Sequence, residues 1–332
     1  MINILIVGAG TMGRIHAQAF AGMKDARVSG IVDRDARRAE ELAKPVGASP
    51  FTTFEEAIRE VPAEVVDICL PTPFHKPFVL KAADAGKHVI CEKPLARNLE
   101  DAREMIEACR EKGVELFVGH VVRFFPEYVR ARELVKNGRI GNVTVVRTGR
   151  GGSFPAGWND WYADFHASGG LVLDMIIHDF DYLRWCFGEV ERVFAKGLTG
   201  RGYARRDYAL VTLRFQSGVI AHVEGMWSHG SFSYRFEIAG KTGIIAYDSA
   251  KDRPLLVRGH GKEASLRGVE VPESPLNEDP YARQLRHFLH CLKTGEQPVV
   301  TAEDAYRAME IALAALRSIE TGEPVKPGEL VS

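Results

Sequence analysis

Apolar positions in the first third of the chain fall into short compact runs separated by stretches of helical period. Ile2 to Val7 is such a run ending in glycine, which predicts a buried parallel strand, and Thr11 to Met23 predicts a helix. Runs at Val28 to Val32, Val65 to Leu70, His88 to Cys91 and Leu116 to Val118 repeat the strand pattern. Helix-like stretches intervene near Ala36 to Ala43, Phe78 to Ala85 and Leu99 to Glu111. Strands alternating with helices predict an α/β domain built on a doubly wound parallel sheet.

The rhythm changes after about Gly138. Strand-like segments at Thr144 to Arg147, Ala209 to Phe215, Val219 to Met226, Tyr234 to Ile238 and Gly243 to Tyr247 follow one another with turns, which predicts an antiparallel sheet. A long helical stretch covers Gly170 to Phe187, and two more close the chain, at Pro280 to Lys293 and Ala302 to Thr321. The expectation is a first domain over 1–122 and an α+β domain with a large, mostly antiparallel sheet over 123–332, the closing helix packing back on the first domain. No fixed-period repeat or low-complexity segment points to a solenoid or propeller.

Composition narrows the class. A chain of 332 residues, 45% hydrophobic and 26% charged, is that of a folded protein with a substantial core. A formal net charge of −1 offers no field for nucleic acid or an anionic membrane, so a small molecule is the expected partner. Cys69, Cys91, Cys109, Cys186 and Cys291 show no C-x-x-C spacing and read as reduced thiols, with no metal site. The start MINILIVGAG has no basic leader, and no stretch approaches the roughly 20 apolar residues of a transmembrane helix. A cytoplasmic location is expected.

Gly8-Ala9-Gly10-Thr11-Met12-Gly13 satisfies G-x-G-x-x-G between a strand and a helix. Gly8 permits a tight turn, Gly10 lets backbone approach a pyrophosphate, and Gly13 lets helix and sheet close up. The helix start around Thr11 and Met12 then faces negative charge. Asp33, at the end of the second strand, suits the ribose hydroxyls of NAD. Arg34 beside it suits the extra phosphate of NADP, so both cofactors stay open, with NAD favoured.

Glu92-Lys93-Pro94 follows the strand ending at Cys91, at the sheet edge where open α/β sheets bind ligands. An ammonium there can stabilise a developing alkoxide, although an exposed loop lysine would read the same way. Pro71, Thr72 and His75 follow the preceding strand and are placed either to line the cofactor or to form a rigid turn. Asp174 and His178, four apart, share one face of the expected helix, and Asp181 continues it. An imidazole suits removal of a hydroxyl proton, and a satisfied Asp/His pair in a core would look alike.

GAGTMGRIH, CEKP and SGGLVLDMIIHDFD, with VGHVVRF, NGRIGNV and TAEDAYRAMEIALAALRS, resemble the glucose-fructose oxidoreductase, inositol dehydrogenase and rhizopine catabolism (Gfo/Idh/MocA) family essentially end to end. The resemblance implies a Rossmann domain followed by a domain whose open sheet packs in homodimers or homotetramers. It also implies NAD(P)-dependent hydride transfer at a hydroxyl carbon of a sugar, inositol or related polyol. Lys93, Asp174 and His178 match the family's catalytic positions: His178 as acid/base, Lys93 as proton relay and charge stabiliser, Asp174 orienting the pair. The DMxxHDFD form looks more like inositol dehydrogenases than glucose-fructose oxidoreductase. Tyr162 stands where arginine often follows Trp161, and Leu171 where a third glycine is frequent, which leaves the substrate open.

Trp158 and Trp161 suit either stacking on a sugar face or core filling. Arg123 suits either nicotinamide or substrate contact or a salt bridge. Tyr234, Arg235 and His229 read as pocket residues or ordinary sheet residues. Two further function classes remain: a regulator that binds dinucleotide without turnover, against which the joint presence of Lys93, Asp174 and His178 speaks, and an enzyme with permanently bound NAD(P) running a net non-redox reaction.

Overall fold

The structure, a computed structural model, describes residues 1–198, 206–228, 230–251, 256–259 and 279–331. It divides into two compact units, Met1–Val121 with Glu278–Tyr306, and Val122–Asn277 with Arg307–Ser332. The first break falls one residue from the expected boundary. Glu278–Tyr306, which includes the start of the closing helix expected to pack back, belongs to the first unit.

In chain order the first unit contains β1 (Ile2–Val7), α1 (Thr11–Ala21), β2 (Ala26–Val32), α2 (Ala36–Val46), β3 (Ser49–Phe51), α3 (Phe54–Glu60), β4 (Val65–Ile68), α4 (His75–Asp84), β5 (His88–Cys91), α5 (Leu99–Glu111) and β6 (Leu116–Val118). Its six strands are parallel in the order β3-β2-β1-β4-β5-β6, a doubly wound sheet whose direction of winding reverses between β1 and β4. Ile4, Leu5, Ile6 and Val7 are essentially inaccessible, which is why β1 is a near-continuous apolar run rather than an alternating one. Short side-chain caps start the helices: Asp35 accepts from Arg37 N–H and Arg38 N–H, Thr53 from Glu56 N–H, and Asn98 from Asp101 N–H.

The second unit contains α6 (Pro126–Lys136), β7 (Val143–Gly152), α7 (Phe165–Ser168), α8 (Gly170–Asp174), α9 (Ile177–Phe187), β8 (Val190–Leu198), β9 (Asp207–Phe215), β10 (Ile220–Trp227), β11 (Ser233–Gly240), β12 (Gly243–Asp248) and β13 (Leu256–Gly259). Its sheet runs β13-β12-β11-β7-β10-β9-β8, antiparallel except where β7 pairs parallel with β10. One face is buried, through Val193, Ala195, Ala209, Val211, Leu213, Ala221 and Val223, while Phe194, Leu198, Leu210 and Ile220 stand exposed on strands of alternating pattern. The closing helices are α10 (Pro280–Thr294), in the first unit, and α11 (Ala302–Thr321), through which the division passes.

The single helix expected over Gly170 to Phe187 is two. Met175 N–H and Ile176 N–H both donate to the carbonyl of Leu171, at 3.0 and 3.1 Å, so one residue is added to the ladder and the helix is offset there. The Ile176 side chain lies over β10 where Gly225 has none; a Cβ on Gly225 would come within 2.6 Å of it.

Candidate active site

The turn after β1 is shaped by its glycines. Gly8 has φ +106°, and a Cβ there would lie 2.5 Å from the carbonyl oxygen of Cys69. A Cβ on Gly13 would lie 1.9 Å from the carbonyl oxygen of Gly8, so α1 starts directly against the turn. At Gly10 the nearest group to such a Cβ is the Arg38 guanidinium, at 3.7 Å, so this side of the turn is open. Gly10 caps α1 without a side-chain bond, leaving first-turn N–H groups for an anion. Thr11 is exposed and Met12 half-buried.

Asp33 is joined to this turn. Its Oδ2 accepts from Ala9 N–H at 2.9 Å and its Oδ1 from Asp35 N–H at 3.0 Å, which fixes the half-buried carboxylate at the end of β2. Arg34 is exposed beside it. Arg38 is a cation the motif reading missed; its signal was its place one helical turn beyond Arg34. These groups fit a dinucleotide: an open glycine turn, an uncapped helix start and a fixed carboxylate for a ribose.

The loops after β4 and β5 are tied together beneath the surface. His75 is buried; its Nε2 lies 2.8 Å from the Leu70 carbonyl, and its Nδ1 lies 3.0 and 3.3 Å from those of Pro94 and Leu95. Burial lowers the pKa of this histidine, against the pull of those carbonyls. It is therefore a latch between loops rather than a side chain presented to a ligand. Thr72 is buried, Pro71 half-buried and Pro94 buried after a cis peptide bond. Glu92 is buried while Lys93 keeps part of its surface.

Behind the glycine turn, His16 of α1 is wholly buried with its Nδ1 2.8 Å from Asp67 Oδ2 on β4 and 3.4 Å from Cys69 Sγ. Its Nε2 lies 3.2 Å from Glu92 Oε1, an ion contact off the line of a straight hydrogen bond. Burial opposes a charge on this ring, but Asp67 overcomes it and raises the pKa of His16 well above normal. Burial, with Asp67, pushes the Cys69 thiol up to about 12. The three donor atoms lie within 4.8 Å of one another, as the ligands of a metal ion would, while the raised pKa values of ring and thiol favour their protonated forms.

In the second unit, the segment from Leu171 to Leu183 is buried at every position except Asp174 and His178, which both keep partial exposure. They stand on either side of the helix offset, at the end of α8 and the start of α9. Asp181 does not continue their face. It is buried and accepts two bonds from Arg123, Nε to Oδ2 at 2.8 Å and Nη2 to Oδ1 at 2.6 Å. Of the two readings open for Arg123 the structure shows a salt bridge, though a buried one: Arg123 is 2% exposed, pairs with Asp181 and lies 5.2 Å from the Trp185 ring centroid. Asp179 is held likewise by Arg150, at 2.8 Å, and Arg150 also donates to the Tyr128 hydroxyl at 3.1 Å.

Trp158 is 39% exposed, whereas Trp161 is half-buried with its ring centroid 4.1 Å from that of Tyr162. Between them Asn159 and Asp160 have φ of 47° and 54°, a rare backbone state for residues with side chains. Tyr234 donates to Glu127 at 2.6 Å and Arg235 to Glu224 at 2.6 Å, as sheet residues do; His229 lies outside the described residues. Among the described residues no helix is long and apolar enough to cross a membrane.

Comparison with known proteins agrees over both units. Residues 2–120 match the model of an oxidoreductase family with an NAD-binding Rossmann fold, and residues 128–246 match the Gfo/Idh/MocA C-terminal domain. The chain is 33% identical to a myo-inositol 2-dehydrogenase of Thermotoga maritima, over 99% of this chain and all of that one. It is 29% identical to a scyllo-inositol 2-dehydrogenase (NAD+) of Bacillus subtilis, over 98% and 96%. The crystal structure of GenD2, from gentamicin A biosynthesis, in complex with NAD, superposes with a TM-score of 0.86 at 27% identity, over 98% and 96%. By its two matched domains the chain belongs to the Gfo/Idh/MocA family of NAD(P)-dependent oxidoreductases.

Proposed function

We propose that the protein is a dehydrogenase that moves a hydride between NAD and a hydroxyl carbon of a cyclic polyol or sugar, an inositol before an open-chain polyol. The observation that carries this reading is the exposure of Asp174 and His178, two titratable side chains left accessible in an otherwise buried segment. Burying polar groups is costly, so a segment that keeps two open at a helix offset has a use for them. The inositol dehydrogenases among the relatives support the substrate class.

In this reading Gly8, Gly10, Thr11, Met12 and Gly13 hold the pyrophosphate, Asp33 the ribose hydroxyls, and Pro71, Thr72, Glu92 and Pro94 form the loops at the sheet edge. The nicotinamide, when bound, supplies the hydride acceptor or donor. His178 takes the hydroxyl proton at a ring nitrogen and returns it in the reverse direction. Asp174 orients the substrate hydroxyl or the imidazole, and Lys93 stabilises the negative charge that develops on the oxygen. Trp158, the more exposed tryptophan, is a stacking surface for a sugar ring. Arg34 and Arg38 leave NADP as the second cofactor. The exposed row of Phe194, Leu198, Leu210 and Ile220 is the surface on which a second copy of the chain packs, giving a homodimer or homotetramer. The free cysteines suit a reducing compartment, the cytoplasm.

The test follows absorbance of reduced nicotinamide while the protein is offered NAD or NADP with inositols, aldoses, sugar acids and simple polyols, beside Lys93→Ala and His178→Ala. Turnover of a polyol that both variants lose supports the reading. Tight cofactor binding without turnover across the panel overturns it in favour of a dinucleotide-binding regulator.

A further inference from the structure

The cluster behind the glycine turn links α1 to β4 and to the loop after β5. His16 is in the second turn of α1, the helix whose start faces the glycines, and is wholly buried. Its Nδ1 lies 2.8 Å from Asp67 Oδ2 on the central strand β4, and its Nε2 lies 3.2 Å from Glu92 Oε1 just beyond β5. The other oxygen of Glu92, Oε2, accepts from the backbone N–H of Lys93 at 3.2 Å. The chain Asp67, His16, Glu92, Lys93 is therefore continuous, each link made through a different atom.

The surroundings are arranged around that chain. Gly119, after β6, has no side chain where one would collide with Glu92: a Cβ there would lie 2.8 Å from Oε1 and 3.2 Å from Oε2. Tyr281 of α10 is also near, with its ring centroid 6.4 Å from that of His16. Two carboxylates stand at the two nitrogens of one buried imidazole, Asp67 within hydrogen-bond distance and Glu92 in ion contact, so the ring can bridge them. Such a bridge is an expensive way to fill a core. Apolar replacements of buried ion pairs are often neutral or stabilising, so a cluster of this kind points to a role for the geometry it imposes.

We propose that His16 is a positioning residue for Lys93: held by Asp67, it fixes the Glu92 carboxylate, which in turn fixes the backbone at Lys93 and so the place of its ammonium group. This rests on the reading of Lys93 as the charge-stabilising residue. It gives the histidine three positions beyond Gly13 a role at the far end of the sheet edge, distinct from phosphate binding.

The test uses the intact protein with His16→Gln, Glu92→Gln, Lys93→Ala and the double variant of His16→Gln with Lys93→Ala. His16→Gln is expected to lower kcat at least tenfold while leaving the dissociation constant for NAD and the KM for substrate within threefold. The same substitution is expected to cost nothing further in the Lys93→Ala background, because its effect passes through that side chain. Competitive acetylation read by peptide mass spectrometry gives an independent measure of each lysine. In His16→Gln and Glu92→Gln the labelling rate of Lys93 should change severalfold while those of Lys76 and Lys293 stay the same.

Unchanged Lys93 labelling in a folded His16→Gln protein overturns the proposal, as does a loss of NAD affinity that matches the loss of kcat. If Lys93→Ala turns over like the parent protein, the catalytic reading of Lys93 fails on its own. The labelling result still decides whether His16 positions that lysine.

Discussion

The pair between Arg123 and Asp181 offers the sharpest energetic test, because both side chains are 1% exposed and the guanidinium meets the carboxylate through two parallel bonds of 2.8 and 2.6 Å. Replacing Arg123 with Met keeps most of the volume but leaves a buried carboxylate without its main partner. Breaking a buried pair in this way costs about 3 to 5 kcal/mol. For a unit of roughly 150 to 250 residues that corresponds to a fall in Tm of about 6 to 20 °C. Adding Asp181→Leu removes the orphaned charge, and the double variant should recover more than half of the loss, since apolar replacements of buried pairs are often neutral. Calorimetry and urea titration of the parent, both single variants and the double variant measure the cycle. A single-variant cost below about 1 kcal/mol, or losses that simply add, would refute the claim that this pair is a desolvated structural anchor beneath α9.

Gly13→Ala should weaken NAD binding by at least about tenfold, or roughly 1.4 kcal/mol, because its methyl group would sit 1.9 Å from the Gly8 carbonyl; isothermal titration with wild-type-like affinity would contradict this. Asp33→Ala removes the acceptor for Ala9 N–H and the ribose contact, so the ratio of kcat/KM for NAD over NADP should fall by about tenfold or more; an unchanged ratio counts against Asp33 as the selector. The raised pKa of His16 makes its charge a source of stability that is fully present below about pH 6.5, declines as pH rises, and is gone above the folded-state value. Melting curves across pH should therefore show the parent losing its advantage over His16→Gln as pH increases, and a constant difference would remove the link to protonation. Burial pushes the thiols of Cys69, Cys109 and Cys186 up to about 12, so Ellman's reagent at neutral pH should label them only on unfolding; rapid labelling of these thiols in the native protein would speak against it.

Much of the first unit was legible because its strands are buried on both faces and its helices are amphipathic. β5, β6, α5 and α11 have the bounds the hydrophobic pattern predicts, and β1 runs straight into a motif with its own physical logic. β3 escaped notice because Ser49-Pro50-Phe51 is a three-residue edge strand with one buried side chain, too short for a period to register. β8 alternates only weakly, with Gly197 and exposed Phe194 and Leu198 breaking the pattern. The offset between α8 and α9 was invisible because each half keeps a helical period, and the shift comes from one carbonyl taking two N–H donors.

The candidate site divides in the same way. The glycines and Asp33 could be placed because motif and backbone geometry go together. Arg123 and Asp181 could not, since their pairing joins residues 58 apart and a buried ion pair has no local period. His75 reads in the sequence as lining the cofactor or forming a rigid turn and His16 only as part of the glycine motif, because their carbonyl and carboxylate partners lie on other elements. The expected return of the closing helix covers only the end of Glu278–Tyr306; nothing in the sequence marks α10 as part of the first unit.

That rejoining has a consequence for synthesis. The first unit lacks α10 until residues 280–294 have been made, although Phe117 of β6 stacks on Phe288 at 4.8 Å and Asp25 pairs with Lys293. On the ribosome, the glycine turn and its helix are made first, but the layer that covers them emerges more than 250 residues later. The nascent N-terminal segment thus carries an unshielded apolar flank until α10 is made, and a chain stopped before residue 280 has a nucleotide fold it cannot close.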